Sequence, residues 1–154
     1  PDLHGATWTA VDKYHCRADA RKFEQWEKPY ALVMGSTAAM DYALEIGIEQ
    51  IRDRVQHLAN LIRQSLAEVP GLINLDRGEN LGGICSFTLR EKEGLWVKKQ
   101  LDAKGIHSSL QLKEGALIDF SRKKTDWAIR LSPHYYNTEE EIGAAVEIIN
   151  ICCQ

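Results

Sequence analysis

The segment WAIRLSPHYYNTEEEI, Trp127 to Ile142, decides how this chain folds. It begins as a strand, Trp127 to Ser132, in which Arg130 faces one side while Ile129 and Leu131 face the other, as the two-residue repeat requires. Pro133 closes that strand, because proline cannot donate to a ladder. A helix then opens cleanly. Thr138 is its cap, and Glu141, three residues on, completes a capping box. Glu139 and Glu140 sit in the first turn, where the helix dipole favours anions. Ile142, Val146, Ile149 and Cys153 follow at helical spacing and form the stripe it buries.

Upstream, the same two periods alternate. Ala38, Ala39, Tyr42, Ala43 and Ile46 predict a helix from Ser36 to Gly47, where glycine marks a break. Ile48, Ile51, Val55, Leu58, Ile62, Leu66 and Val69 predict a second helix, which Pro70-Gly71 stops. Its polar face carries Arg52, Asp53, Gln56, Asn60, Arg63 and Gln64. Leu72 to Leu75 and Gly83 to Leu89 are predicted strands, the second with Ile84, Ser86 and Thr88 alternating against Cys85, Phe87 and Leu89. Leu95 to Ala103 is a helix, Ile106 to Leu110 a strand, and Gln111 to Asp126 a polar loop holding Arg122-Lys123-Lys124. Pro1 to Tyr30 shows neither period, yet it holds Trp8, Tyr14, Phe23 and Trp26, rings that need a surface to lie on. Short strands interleaved with amphipathic helices predict an α+β fold. It is a two-layer sandwich of helices packed on one side of a small, mostly antiparallel sheet.

Composition narrows the function. A chain of 154 residues with 44% hydrophobic and 27% charged content is an ordinary globular domain that needs no disulfide or metal to fold. The net charge of -3 gives no broad attraction to nucleic acid or anionic lipid, and no apolar run reaches the length of a membrane span. No secretory signal opens the chain, so Cys16, Cys85, Cys152 and Cys153 are read as reduced thiols of a cytoplasmic protein. The chain starts at Pro1, as a processed start or a piece of something longer would.

Few residues are arranged for chemistry. Phosphate loops, dinucleotide fingerprints, zinc-protease motifs and nucleophile elbows are absent. The histidines His4, His15, His57, His107 and His134 lie on different elements. His15-Cys16 and Cys152-Cys153 fit no zinc spacing, so no metal is expected. Arg130 is the exception. A guanidinium on a rigid strand matches both oxygens of a carboxylate, but the residues alone favour an ordinary solvent-facing arginine.

The segment around Arg130 resembles the C-terminal end of the class V aminotransferases, enzymes that use pyridoxal phosphate on the fold type I scaffold. Arg130, Ser132, Tyr136, Asn137, Thr138 and Glu139 to Glu141 match the family's pattern of Arg-x-Ser followed by Tyr-Asn-Thr and acidic residues. The doubled tyrosine in His134-Tyr135-Tyr136-Asn137 is most similar to the branch named after isopenicillin N epimerase. Ala20-Arg21-Lys22-Phe23-Glu24 resembles the family's Arg-Arg-Phe-Glu stretch, and Ser36 to Gly47 resembles its Gly-Leu-x-x-Ala helix, with Ser36-Thr37 in place of Gly-Leu.

The resemblance implies a role for each matched residue. Arg130 would bind the α-carboxylate of an amino-acid substrate. Asn137 and Thr138 would fix the last helix behind it, and Lys22 and Glu24 would tie this domain to another. It also implies that residues 1–35 form an interdomain segment and 36–154 the small domain. The large domain, with the Schiff-base lysine and the cofactor's phosphate and ring partners, would lie upstream of Pro1. Pyridoxal phosphate is then expected in the intact enzyme and not in this chain alone, which should be inactive. Desulfurases of the family carry a catalytic Cys in the loop after the strand at Ile106 to Ser109. Leu110 to Asp126 holds none, so sulfur transfer is not expected. A homodimer is expected, with the N-terminal segment exchanged between copies. The rival reading is a free-standing, non-catalytic binding or oligomerisation module derived from the same domain.

Overall fold

In the computed structural model, which describes residues 5–24 and 27–153, the contacts divide the chain into two units, Pro1–Glu45 and Ile46–Gln154. The first unit opens with a hairpin of β1 (Ala6–Ala10) and β2 (Lys13–Cys16), paired antiparallel with Trp8 opposite Tyr14. Their ring centroids lie 6.4 Å apart, edge to face, a cross-strand pair that helps hold so short a ribbon. This corrects the expectation of an aperiodic stretch. The alternation is present, Ala6, Trp8 and Ala10 against Thr7 and Thr9 and then Tyr14 and Cys16 against Lys13 and His15, but the runs are four and five residues long and both strands stay exposed almost throughout. Trp26 and His4 lie outside the described residues. Helix α1 (Tyr30–Ile46) begins well before the predicted Ser36, and the Pro29 carbonyl accepts from the Leu32 and Val33 amides at 2.9 and 3.1 Å. Its first turns carry Tyr30, Leu32, Val33 and Met34 on several sides at once, which hides the helical period. None of its residues is buried, and its only charges are Asp41 and Glu45. Gly47, at φ +100°, ends it in a conformation that side-chain-bearing residues rarely adopt.

The second unit holds the predicted sandwich. Helix α2 (Ile48–Ala67) is followed by β3 (Leu72–Asn74), β4 (Cys85–Leu89), α3 (Gly94–Ala103), β5 (Ser109–Leu112), α4 (Leu117–Lys123), β6 (Trp127–Leu131) and α5 (Glu139–Cys153). The four strands form one sheet in the order β3-β4-β6-β5, every pair antiparallel. Cys85 lies opposite Leu131 and Phe87 opposite Ile129, so these side chains share one face. Against them pack Leu58, Ile62 and Leu66 of α2, Val97 and Leu101 of α3, and Ile142 and Ile149 of α5. Phe87, Leu58, Ile129 and Ile149 are completely buried there. The first turn of α3 comes so close that a Cβ on Gly94 would lie 2.7 Å from the Trp127 ring.

The other face carries Ser86, Arg130, Ser109, Ala128 and Gln111. Here the predicted polar loop is corrected. Residues 113–115 form a 3-10 turn and 117–123 form α4, whose one buried residue, Phe120, packs with Leu75 and Ala128. A helix this short shows one apolar contact rather than a stripe. It also puts a helix on the face expected to be bare.

Helices α2 and α5 are joined at the surface by Arg54, whose guanidinium donates to both oxygens of Glu139 and to the Asn137 carbonyl. The Arg54 hydrogen bonds hold the Glu139 carboxyl near pKa 2, against an ordinary 4.5. A carboxylate whose pKa is depressed on folding stabilises the fold above its unfolded value, and that contribution is lost as pH falls through the folded one. Stability should therefore fall between pH 4.5 and about 2 more steeply in the native chain than in Arg54→Met. Both groups are partly exposed, so added salt should shrink the difference. Acid titration of the denaturation midpoint at two salt concentrations measures this, and identical profiles would refute it.

Candidate functional site

Arg130 is the centre of the candidate site. Strand β6 alternates as expected: Ile129 and Leu131 are buried in the core, and Arg130 is exposed on the opposite face. In register, Ser86 on β4 and Ser109 on β5 flank it, one on each side. Its Nη2 lies 3.4 Å from Ser109 Oγ. Arg130, Ser86, Gln111, Asp119 and Lys123 line a cavity of about 180 Å³ over an apolar floor of Leu75, Phe120 and Ala128. Lys123 Nζ is held by Asp119 at 2.8 Å across one turn of α4. The cavity thus offers a rigidly mounted guanidinium, without an ion-pair partner among the described residues, beside the Gln111 amide, and its fork is the donor a carboxylate needs.

Behind Ser86 lies a buried polar network. Asp76, with its side chain 6% exposed, accepts from Ser86 Oγ at 2.5 Å, from the Ser86 amide at 2.9 Å and from Arg63 Nε at 2.8 Å. Arg63 Nη2 also donates to the carbonyls of Gly82 and Ile84 at 2.7 and 2.8 Å. The network fastens α2 to the end of β3 and to the chain entering β4. Sequence reading placed Arg63 on the solvated face of α2 and gave Asp76 no role, because its partners are 10 to 21 residues away and no local spacing links them. The alternation in Gly83 to Leu89 did set Ser86 apart from Cys85 and Phe87, and that was the one available signal.

Asn137 and Thr138 organise the entry to α5 rather than the Arg130 cavity. Asn137 Oδ1 accepts from the His134 amide at 2.8 Å, and its amide donates back to the His134 carbonyl at 3.0 Å. The capping box is present in both directions: Glu141 N donates to Thr138 Oγ1 at 3.2 Å, and Thr138 N to Glu141 Oε2 at 3.0 Å. Asn137 Nδ2 adds a second bond to that carboxylate, at 3.0 Å, and with the Thr138 amide it lowers the Glu141 pKa. His134, Tyr135 and Tyr136 cluster with ring centroids 4.7 to 5.4 Å apart. Asn137 and Glu141 also line a larger cavity of about 400 Å³ with Ile62, Ile106, His107 and Tyr136. Lys22 and Glu24 belong to the first unit. Lys22 Nζ sits 5.2 Å from the Phe23 ring, and Glu24 caps a 3-10 turn through its backbone.

No metal-ligating cluster occurs among the described residues. Cys85 is completely buried, donates to the Ala59 carbonyl at 3.4 Å, and is pushed up to a pKa of about 11 by that burial. A thiol so placed carries almost no thiolate at neutral pH. Cys16 is exposed. In the native chain a water-soluble disulfide reagent should therefore modify Cys16 first and reach Cys85 only after denaturation. Prompt native labelling of Cys85, read by peptide mapping, would contradict this.

The geometry has close counterparts among known proteins. Residues 4–144 match the family described as aminotransferase class-V. A probable cysteine desulfurase of Methanothermobacter thermautotrophicus is 28% identical over 124 residues, covering 79% of this chain and 31% of that protein. A probable cysteine desulfurase of Mycolicibacterium paratuberculosis is 31% identical over 130 residues, covering 83% of this chain and 18% of that protein. Among solved structures, the apo cysteine desulfurase of Thermococcus onnurineus superposes with a TM-score of 0.77 at 19% identity, over 98% of this chain and 38% of that one. The Escherichia coli cysteine desulfurase gives 0.76 at 19% identity, over 98% and 37%. The chain thus spans less than a third of the length of these curated relatives. No described helix is long and apolar enough to cross a membrane.

Proposed function

Because this chain belongs to the aminotransferase class-V family, we propose that it is the substrate-side, small-domain part of a pyridoxal-phosphate-dependent enzyme acting on an amino acid, with Arg130 as the clamp for the substrate's carboxylate. The observation that carries this reading is the setting of Arg130: mid-strand, exposed, flanked by Ser86 and Ser109, and without an ion-pair partner among the described residues. A fork held on a rigid strand gives up little freedom when it takes two carboxylate oxygens.

The groups lining the Arg130 cavity do not fit the cofactor itself. Lys123, the one lysine lining the Arg130 cavity, has its ammonium tied to Asp119, whereas a carbonyl cofactor needs a free amine and a partner for its ring nitrogen. On this reading the cofactor's lysine lies outside residues 1–154. Helix α1 supports this: it is rich in apolar residues, yet none of them is buried in this chain, as expected of a helix that the whole protein covers. The same demand, with exposed Trp8 and Tyr14 on the hairpin, supports a dimeric enzyme. Four unpaired cysteines suit a reducing, cytoplasmic setting.

The reaction proceeds, on this reading, without a protein thiol on the loop after β5. Residues 110–126 hold no cysteine and fold as the end of β5, a 3-10 turn and α4. The doubled tyrosine at Tyr135-Tyr136 keeps the epimerase-like branch as the preferred subtype, while the relatives' names point to cysteine as a candidate substrate. The test uses the full reading frame loaded with pyridoxal phosphate and a panel of free amino acids, each beside its methyl ester. A carboxylate clamp requires that the cofactor's absorbance respond to a free acid and respond far less to its ester. An equal response to both would overturn the reading.

A further inference from the structure

We propose that Ser86 is a positioning residue for Arg130, through a hydroxyl whose only proton is committed elsewhere; this rests on reading Arg130 as the carboxylate clamp. A serine hydroxyl has one donor and two acceptor sites. In this chain the donor is spent on Asp76: the Oγ···Oδ1 distance is 2.5 Å, the length of a bond to an ionised carboxylate. Asp76 cannot turn away, because the Ser86 amide holds the same oxygen and Arg63 holds the other one. Both side chains of that ion pair are almost fully buried, so water does not compete for it. Ser86 Oγ therefore presents only lone pairs to its surroundings.

Those surroundings include Arg130. Ser86 is its register partner on β4, and the two line the same cavity. Arginine has five donors and no acceptor. A neighbouring hydroxyl with a free proton could point that proton at the guanidinium and repel it, and one with only lone pairs cannot. On the opposite side Ser109 Oγ is already within 3.4 Å of Nη2. The two serines flank Arg130 in register, one on each neighbouring strand, and on the Ser86 side a hydroxyl that offers only lone pairs leaves the fork free to aim out of the sheet. The buried Arg63–Asp76 pair thus reaches the site through one hydroxyl, although neither of its members lines the cavity.

The test is kinetic, on the full-length enzyme. Ser86→Ala is expected to raise KM for the amino acid by about two- to tenfold with kcat unchanged, and to lower the melting temperature as well, because the buried Asp76 carboxylate loses its hydroxyl donor. Ser86→Thr, which keeps the hydroxyl, should restore KM. Asp76→Asn can donate to Ser86 and so free its proton. It should raise KM as well, and the double variant with Ser86→Ala should be no worse than Ser86→Ala alone. Arg130→Ala serves as the reference. If Arg130→Ala raises KM and Ser86→Ala does not, the positioning role is wrong while the clamp stands. If Arg130→Ala itself leaves KM unchanged, the clamp and the role built on it both fall. A KM defect in Ser86→Ala that Ser86→Thr does not rescue, although Ser86→Thr restores the melting temperature, would reduce Ser86 to a packing residue.

Discussion

Replacing Arg63 by Met is expected to cost about 3–5 kcal/mol of stability, the loss typical of breaking a buried ion pair from one side. The guanidinium side chain is 10% exposed and the Asp76 side chain 6%. Removing it strands the Asp76 carboxylate and two carbonyls, those of Gly82 and Ile84, that it now satisfies. For a domain whose whole stability is about 5–15 kcal/mol, this is a large share, and the melting temperature should drop by at least about 10 °C. Arg52 on the same helix makes the useful contrast. Its pair with Asp53 is 57% and 66% exposed, and Arg52→Ala should shift stability by no more than about 0.5 kcal/mol. Denaturant titration of both variants gives the comparison. Equal, small losses would mean that the Arg63 network is solvated and carries little.

The second large effect falls on substrate capture. In the full-length enzyme Arg130→Ala should lower kcat/KM by the equivalent of about 2–5 kcal/mol, roughly 30-fold to several thousand-fold, because it leaves a substrate carboxylate desolvated without its partner. Arg130→Lys keeps the charge and loses the fork, so it should fall between the native enzyme and Arg130→Ala. Folding should be untouched by either, since Arg130 is exposed and, among the described residues, hydrogen-bonds only to Ser109 at 3.4 Å. A native kcat/KM in Arg130→Ala would leave the arginine as an ordinary surface cation.

How much of this was legible in the sequence depends on the length and one-sidedness of each element. Helix α2 was readable because its stripe runs through Leu58, Ile62 and Leu66, all buried, and it starts at Ile48 as predicted. The entry to α5 was readable because a capping box is a fixed local spacing, and both of its bonds are present. The hairpin β1–β2 and the start of α1 were not: the alternation in Ala6–Ala10 and Lys13–Cys16 spans only five and four exposed residues, and Tyr30, Leu32, Val33 and Met34 are spread around the first turns of α1. Helix α4 escaped for a different reason, having a single buried anchor at Phe120. Within the site, the exposed face of Arg130 followed from alternation along one strand. Its neighbours Ser86 and Ser109, and the Arg63–Asp76 pair behind them, come together only through sheet register and helix packing, which residue spacing does not encode.

The central claim is that these residues furnish the substrate side of a class V enzyme whose cofactor lysine lies elsewhere in the protein. Borohydride reduction of the full-length protein with pyridoxal phosphate, followed by peptide mapping, tests it most directly. One lysine should be labelled stoichiometrically, and it should lie outside residues 1–154, with Lys123 unlabelled. Stoichiometric label on any single lysine within 1–154, or no specific label anywhere in the protein, would contradict the claim.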